Sequence, residues 1–213
     1  MAKRQGVLEY AVLGLLQDAP MHGYELRKRL NAVLGSFRAI SYGSLYPCLK
    51  DLLSRGYIAE DGPADAGAPA LTGRRSKVVY RLTADGKEHF QTWLDQCGPE
   101  AWEDERFGVH LAFFGRTDAE VRRRILQGRR SRLEERLANL RESIARTRER
   151  LDSYTLTLQQ HGLDSVEREV DWLRQLIDAE AASMATRGGS SANQTSAGNP
   201  ANGTANSGPG NRP

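Results

Sequence analysis

Long apolar runs are missing from this 213-residue chain. No stretch approaches the ~20 consecutive apolar residues that a helix needs to cross a bilayer, so the sequence predicts no membrane partner. Cysteine is scarce. Cys48 and Cys97 lie far apart, and neither belongs to a Cys-x-x-Cys or Cys/His cluster, which argues against a disulfide framework and a thiolate metal site. His22, His89, His110 and His161 are scattered as well, so neither a metal nor a cofactor is expected. Clustered carboxylates, a Ser/His/Asp arrangement and a phosphate-binding glycine loop are all lacking, which argues against an enzyme. The first residues, Met1-Ala2-Lys3-Arg4-Gln5, pass directly into periodic sequence without an apolar block or a small-residue cleavage site, and this predicts a cytoplasmic protein. Charge of one sign does not dominate either. Thirty Lys and Arg against 27 Asp and Glu leave a net +3, which permits nucleic-acid binding without indicating it.

Hydrophobic residues make up 39% and charged residues 27%, enough for a core under a well-solvated surface. Leu8, Ala11, Val12, Leu15 and Leu16 recur at helical spacing and stop at Asp18-Ala19-Pro20. A second helix is expected from His22-Gly23 to about Gly35, burying Leu26, Leu30 and Val33. A third runs from about Tyr42 to Arg55 with Leu45, Leu49, Leu52 and Leu53 inward, and Gly56 stops it. The period then changes. Tyr57–Glu60 and Lys77–Leu82 read as two strands around a Gly/Pro/Ala-rich loop from Asp61 to Gly73. Thr83 suits the N-cap of a helix reaching about Gln96.

Gly98-Pro99 punctuates the chain and marks the expected domain boundary, with residues 1–97 before it and 98–186 after it. One helix is expected from Glu103 to Phe114, ended by Gly115, with Thr117 capping the next. From Asp118 to about Gln160, Leu126, Leu133, Leu137, Leu140, Ile144, Leu151, Tyr154 and Leu158 recur at intervals of three, four or seven. Gly162 is expected to break this pattern. Val170, Leu173 and Ile177 belong to a final helix that folds back. Such a stripe predicts homodimerisation, although packing within one chain would leave a similar pattern. Residues 187–213 carry no apolar period, and their composition predicts disorder.

Three helices followed by a hairpin are the plan of a winged helix-turn-helix, and the chain as a whole reads as mainly α: this domain and then a helical one. A helix fits the major groove of duplex DNA, and a hairpin reaches the neighbouring backbone. The expected contacts are His22 and Tyr24 at the second helix's start, then Ser41, Tyr42, Gly43, Ser44, Tyr46 and Lys50 on the third helix. Arg74, Arg75 and Lys77 at the foot of the wing complete the set. Small and hydroxyl-bearing residues let the backbone approach phosphate, and helix N-termini offer it free amides.

His22-Gly23-Tyr24-Glu25-Leu26, Ser41-x-Gly43-Ser44-Leu45-Tyr46-Pro47-x-Leu49 and Leu52-x-x-x-Gly56-Tyr57-Ile58 occur in this order. Gly73-Arg74-Arg75-Ser76-Lys77-x-x-Tyr80-x-Leu82-Thr83-x-x-Gly86 follows them. The ordered set resembles the PadR family of bacterial regulators. Phe107-x-x-x-Leu111-x-Phe113-Phe114 is similar to the family branch with a multi-helix dimerisation domain. The resemblance implies a repressor that binds a roughly palindromic operator as a homodimer. It also implies control of a neighbouring transporter or detoxification operon and release by a small planar effector.

Several residues admit two readings. Tyr46 is either a core tyrosine or a DNA contact. Arg27-Lys28-Arg29 reads as an ordinary solvated face. Trp93, Trp102, Phe107 and Phe114 either line an effector pocket or fill a hydrophobic domain junction. A competing view of the whole chain is a helical interaction module whose winged helix binds protein.

Overall fold

The computed structural model describes residues 2–35, 42–61 and 78–192. The chain opens with α1 (Ala2–Leu16), β1 (Met21–His22), α2 (Gly23–Leu34) and α3 (Tyr42–Ser54). Strands β2 (Ile58–Asp61) and β3 (Val79–Leu82) and helix α4 (Ala84–Leu94) complete the N-terminal half. The mainly α plan with an N-terminal winged helix is therefore as expected. Helix α1 is more than an amphipathic edge. Every residue from Ala11 to Leu16 is buried, and α2, α3, α4 and α5 all pack on it. Leu26, Leu30, Leu45, Leu49, Leu52 and Phe90 close around this central helix. On α2 the inward residue near the end is Leu34, not Val33, which is 41% exposed. At about 100° per residue, positions 26, 30 and 34 span an arc of about 80°, and 33 falls just outside it, about 20° beyond 26.

The sheet has the antiparallel order β1-β3-β2, with Met21 opposite Tyr80 and Ile58 opposite Leu82. Two-residue β1 is too short to show a period and was not expected. Gly56, at φ 73, lets the chain reverse after α3, and the amide of Tyr57 donates to the Leu52 carbonyl at 3.0 Å. Thr83 caps α4 as expected: its Oγ1 accepts from the Gly86 amide at 3.1 Å, while its own amide donates to the Tyr57 carbonyl at 3.1 Å. A Cβ on Gly86 would lie 2.0 Å from that carbonyl oxygen, so glycine is what lets α4 sit against the foot of β2.

The C-terminal half begins with a 3-10 turn at Pro99–Trp102, followed by α5 (Asp104–Ala112), α6 (Ala119–Thr147) and α7 (Ser153–Ala192). Four expectations change here. Helix α5 ends at Ala112 and a 3-10 turn, Phe114–Arg116, follows. Asp118, not Thr117, caps α6 by accepting from the Glu120 amide at 2.8 Å, while Thr117 is buried and donates to the Phe113 carbonyl at 3.2 Å. The break between the long helices falls at Leu151-Asp152 rather than at Gly162, which lies inside α7. Asp152 accepts from the amides of Tyr154 and Thr155 at 2.9 and 3.0 Å. An aspartate N-cap contributes about 1 kcal/mol, and a helical glycine costs about as much, so a cap can start the helix here and the glycine can be carried through. Finally, α7 reaches Ala192, beyond the expected end at residue 186, and residues 193–213 lie outside those described.

Two apolar clusters form. The first occupies the N-terminal half, and the second holds Phe107, Phe114, Leu126, Leu133, Val170 and Leu173. Helix α5 serves both, because Val109 and Phe113 enter the first cluster and Phe107 the second. A column of rings also crosses the junction. Tyr57 stacks on His89 at 4.3 Å, and His89 stacks on Tyr10 at 5.4 Å. Tyr10 stacks on Trp93 at 4.3 Å and Trp93 on His110 at 3.9 Å. Packing therefore runs without interruption from the wing to α5, across the boundary expected at Gly98.

Candidate nucleic-acid interface

Helices α2 and α3 and strands β1 and β3 border an open cleft of about 1040 Å³, lined by His22, Tyr24, Lys28, Tyr46, Val78 and Tyr80 among others. Helical geometry explains why these side chains meet. Leu26 and Leu30 turn α2 inward, leaving Tyr24 and Lys28, one turn apart, on the outer face. On α3, Leu45, Leu49 and Leu52 are buried, and Gly43, Ser44, Tyr46 and Lys50 are exposed. Tyr24 is 68% exposed and Tyr46 50%. Tyr46 is therefore not a core tyrosine. Its hydroxyl lies beside Gly23, where a Cβ would be 3.4 Å away.

His22 does structural work. Its Nδ1 lies 3.1 Å from the Val78 carbonyl, which can only accept, so this nitrogen carries the proton and ties the start of α2 to the wing. Tyr80 forms the floor: burial first, then the nearby Glu60 carboxylate, raises its pKa, so the hydroxyl remains a protonated donor. Pro47 sits inside α3 and has no amide hydrogen to donate to the Gly43 carbonyl. Lys28, expected within a solvated basic run, is exposed and lines the cleft one helical turn from Tyr24. Its neighbour Arg29 pairs with Glu25 at 2.8 Å. Tyr42 belongs to the first turn of α3. Ser41, Arg74, Arg75 and Lys77 lie outside the described residues.

The seam residues occupy a different place. Leu126, Leu133, Leu137, Val170 and Leu173 are buried where α6 packs on α7 in the same chain, and Leu140, Ile144 and Ile177 pack at the margin of that cluster. Leu151 sits at the turn between the helices. Arginine–carboxylate pairs flank the stripe. Arg122 reaches Glu180 at 2.7 Å, Arg129 reaches Glu169 at 2.6 Å, and Arg174 reaches Glu134 at 2.9 Å. Buried Arg129 also donates to the Trp102 carbonyl at 2.8 Å and pairs with Asp104. Partial burial opposes the Asp104 carboxylate, and the bond to Arg129 more than reverses that, so its pKa falls below the usual range. Tyr154 and Leu158 on α7 remain 87% and 70% exposed.

Of the four candidates for an effector pocket, Trp93 stands apart from the other three. Trp93 is buried in the first cluster, and Phe107 and Phe114 are buried in the second. Trp102 packs against the second cluster and faces an open cavity of about 700 Å³ whose lining includes Cys97, Arg124, Gly128 and Arg132. Its indole Nε1 donates to the Cys97 carbonyl at 3.1 Å, and its ring lies over Gly128, where a Cβ would be 2.0 Å away. The other cysteine, Cys48, is inert: burial pushes its thiol up to about 12. Among the described residues no metal-binding group of His, Cys, Asp or Glu occurs, and no helix is long and apolar enough to cross a membrane.

Residues 12–92 match the PadR-like family of transcriptional regulators. A curated relative, the negative transcriptional regulator PadR of Bacillus subtilis (strain 168), is 33% identical over 102 residues, 46% of this chain and 52% of the relative. The chain thus matches about half the length of that relative. Among solved structures, Bacillus subtilis PadR in complex with operator DNA is 23% identical, with 82% of this chain and 99% of that chain covered and a TM-score of 0.38. The same protein in complex with p-coumaric acid is 24% identical, with coverage of 82% and 99% and a TM-score of 0.37.

Proposed function

We propose that this chain, whose residues 12–92 belong to the PadR-like family of transcriptional regulators, is a sequence-specific DNA-binding repressor. The observation that carries the proposal is the exposed first turn of α3 beside the cleft of Tyr24, Lys28 and Tyr46, within the part of the chain that matches the family. A helix N-terminus with small and hydroxyl-bearing residues offers amides and hydroxyls to phosphate. Gly43, Ser44, Tyr46 and Lys50 approach the major groove, and Tyr24 and Lys28 take the adjacent backbone. Ser41, Tyr42 and the wing-foot residues Arg74, Arg75 and Lys77 extend the grip. His22 contributes by holding the wing against α2. Few of these side chains make bidentate base contacts, so shape and half-site spacing carry much of the specificity.

The working unit is a homodimer. Leu126, Leu133, Leu137, Leu140, Ile144, Leu151, Val170, Leu173 and Ile177 act in dimerisation by shaping the α6–α7 pair, and its outer faces, including Tyr154 and Leu158, meet the second chain. Residues 1–97 serve DNA binding and 98–186 assembly. A small planar effector binds in the C-terminal half and releases the operator. The protein binds rather than catalyses, needs no cofactor and works in the cytoplasm.

Selection of bound genomic fragments followed by sequencing tests this reading. The expected product is a two-fold symmetric motif with half-sites about 34–36 Å apart. Recovery of fragments with no shared motif would remove the proposal. Arg75→Ala should weaken binding to all DNA alike and lower the salt slope by about one unit.

A further inference from the structure

The DNA-reading end of α3 is exposed, and what sets its angle lies at the opposite end. Leucines bury one face of α3, but apolar contacts are non-directional and tolerate small rotations and slides. At the C-terminal end the contacts are directional. Arg55 continues the last turn, its amide donating to the Asp51 carbonyl at 3.1 Å. Its guanidinium reaches Glu9 Oε2 on α1 at 2.7 Å and Asp51 at 3.0 Å, and lies over the Tyr57 ring at 4.9 Å. The second oxygen of Glu9 accepts from His89 Nε2 on α4 at 3.0 Å. The His89 ring is in turn held between Tyr57 and Tyr10. The Glu9 side chain is only 12% exposed, so water competes weakly for its two partners.

We infer that Glu9 is a positioning residue for DNA recognition: one carboxylate, by binding Arg55 and His89 together, locks the end of α3 to α1 and α4 and so fixes the pose in which α3 enters the groove. None of these three residues lies on the DNA face. The inference rests on the reading of the chain as a sequence-specific DNA-binding protein. Specific contacts demand one pose, whereas non-specific binding is electrostatic and accepts many. Loss of the tie therefore lowers discrimination rather than general affinity. The sign runs against net charge, because removing an acidic side chain from a DNA-binding protein should strengthen its attraction to all DNA.

The test uses full-length protein, a duplex recovered by genomic selection and a random duplex of equal length, titrated by fluorescence anisotropy at fixed salt. Glu9→Gln should weaken selected-duplex binding about ten-fold, the loss expected for one buried charge-assisted tie, and leave random-duplex binding within about two-fold. Arg55→Met should reduce the same ratio, and the double variant should lose no more discrimination than either single change. An unchanged ratio in Glu9→Gln overturns the inference while the DNA-binding reading stands. A wild-type protein that does not discriminate overturns the reading itself and this inference with it. Should Glu9→Gln not fold, His89→Gln keeps the Arg55 pair and is expected to lower the ratio about two- to three-fold. Unchanged discrimination in His89→Gln, or its failure to fold as well, makes Glu9 a residue of folding rather than of positioning and overturns the inference.

Discussion

The two halves of this molecule are held together by different forces. Around α1, leucines, Phe90 and Trp93 close on a helix buried across its whole C-terminal part, and the core is nearly dry of charge. The α6–α7 pair has only a narrow apolar stripe, and exposed guanidinium–carboxylate pairs such as Arg141–Glu167 and Arg174–Glu134 line its sides. Apolar burial depends little on salt, whereas exposed charge pairs are screened by it. The N-terminal core can therefore persist under conditions that loosen the C-terminal pair, with the Glu9–Arg55–His89 tie setting the pose of α3 on it. On the proposed function, a regulator that must both hold a groove-reading surface and respond to a signal gains from that asymmetry.

Core truncations give the largest expected effects, and they separate the halves. Leu52→Ala in the first cluster and Leu133→Ala in the second should each cost about 2–5 kcal/mol. Calorimetry should show that Leu52→Ala destabilises the N-terminal half and Leu133→Ala the helical pair. A single transition shifted equally by both would mean that α5 and the ring column weld the halves into one unit.

The junction itself titrates. Burial, with Arg106 nearby, lowers the pKa of His110 from 6.5 to about 4. The folded state thus resists a proton that the unfolded chain accepts. This contribution is fully present above pH 6.5 and is lost as the pH falls toward 4, amounting to about 3 kcal/mol in all. Denaturant melts between pH 7 and 4 should show that loss, and His110→Gln should flatten it. An equal slope in the variant would place the acid sensitivity elsewhere.

Arg129→Met should cost less, about 1–3 kcal/mol, because its carboxylate partners regain water once released. High salt should change this cost little, because the Arg129 guanidinium is buried, and should leave that of Leu52→Ala unchanged. Smallest of all, Tyr154→Ser and Leu158→Ser should alter chain stability by no more than about 0.5 kcal/mol, since both side chains are exposed. Sedimentation should nonetheless show a weakened dimer. An unaltered dimer would remove this face of α7 from the interface.

The order of elements in the N-terminal half could be read from the chain, because period changes, Gly56 and the Thr83 cap each leave a local mark. So could the outward placement of Gly43, Ser44 and Lys50. Other features were hidden. Strand β1 exists only because β3 returns to pair with it. The burial of α1 on all sides erases the stripe that would have announced its central position. A heptad-like spacing is the same whether the partner helix is α7 or another chain, so the place of Leu133 and Val170 could not be decided from spacing. The glycine at 162 is conspicuous in the sequence, whereas the two amide bonds that make Asp152 a cap appear only in three dimensions. Trp93 and Trp102, nine residues apart, fall in different environments because the turn at Pro99–Trp102 carries the second away from the first core.

The most direct measurement is a titration of the full-length protein against the selected duplex and bulk DNA at about 150 mM salt, with stoichiometry read from the same experiment. The account predicts two chains per duplex and binding to the selected sequence at least about a thousand-fold tighter than to bulk DNA. Equal affinity for both would contradict it.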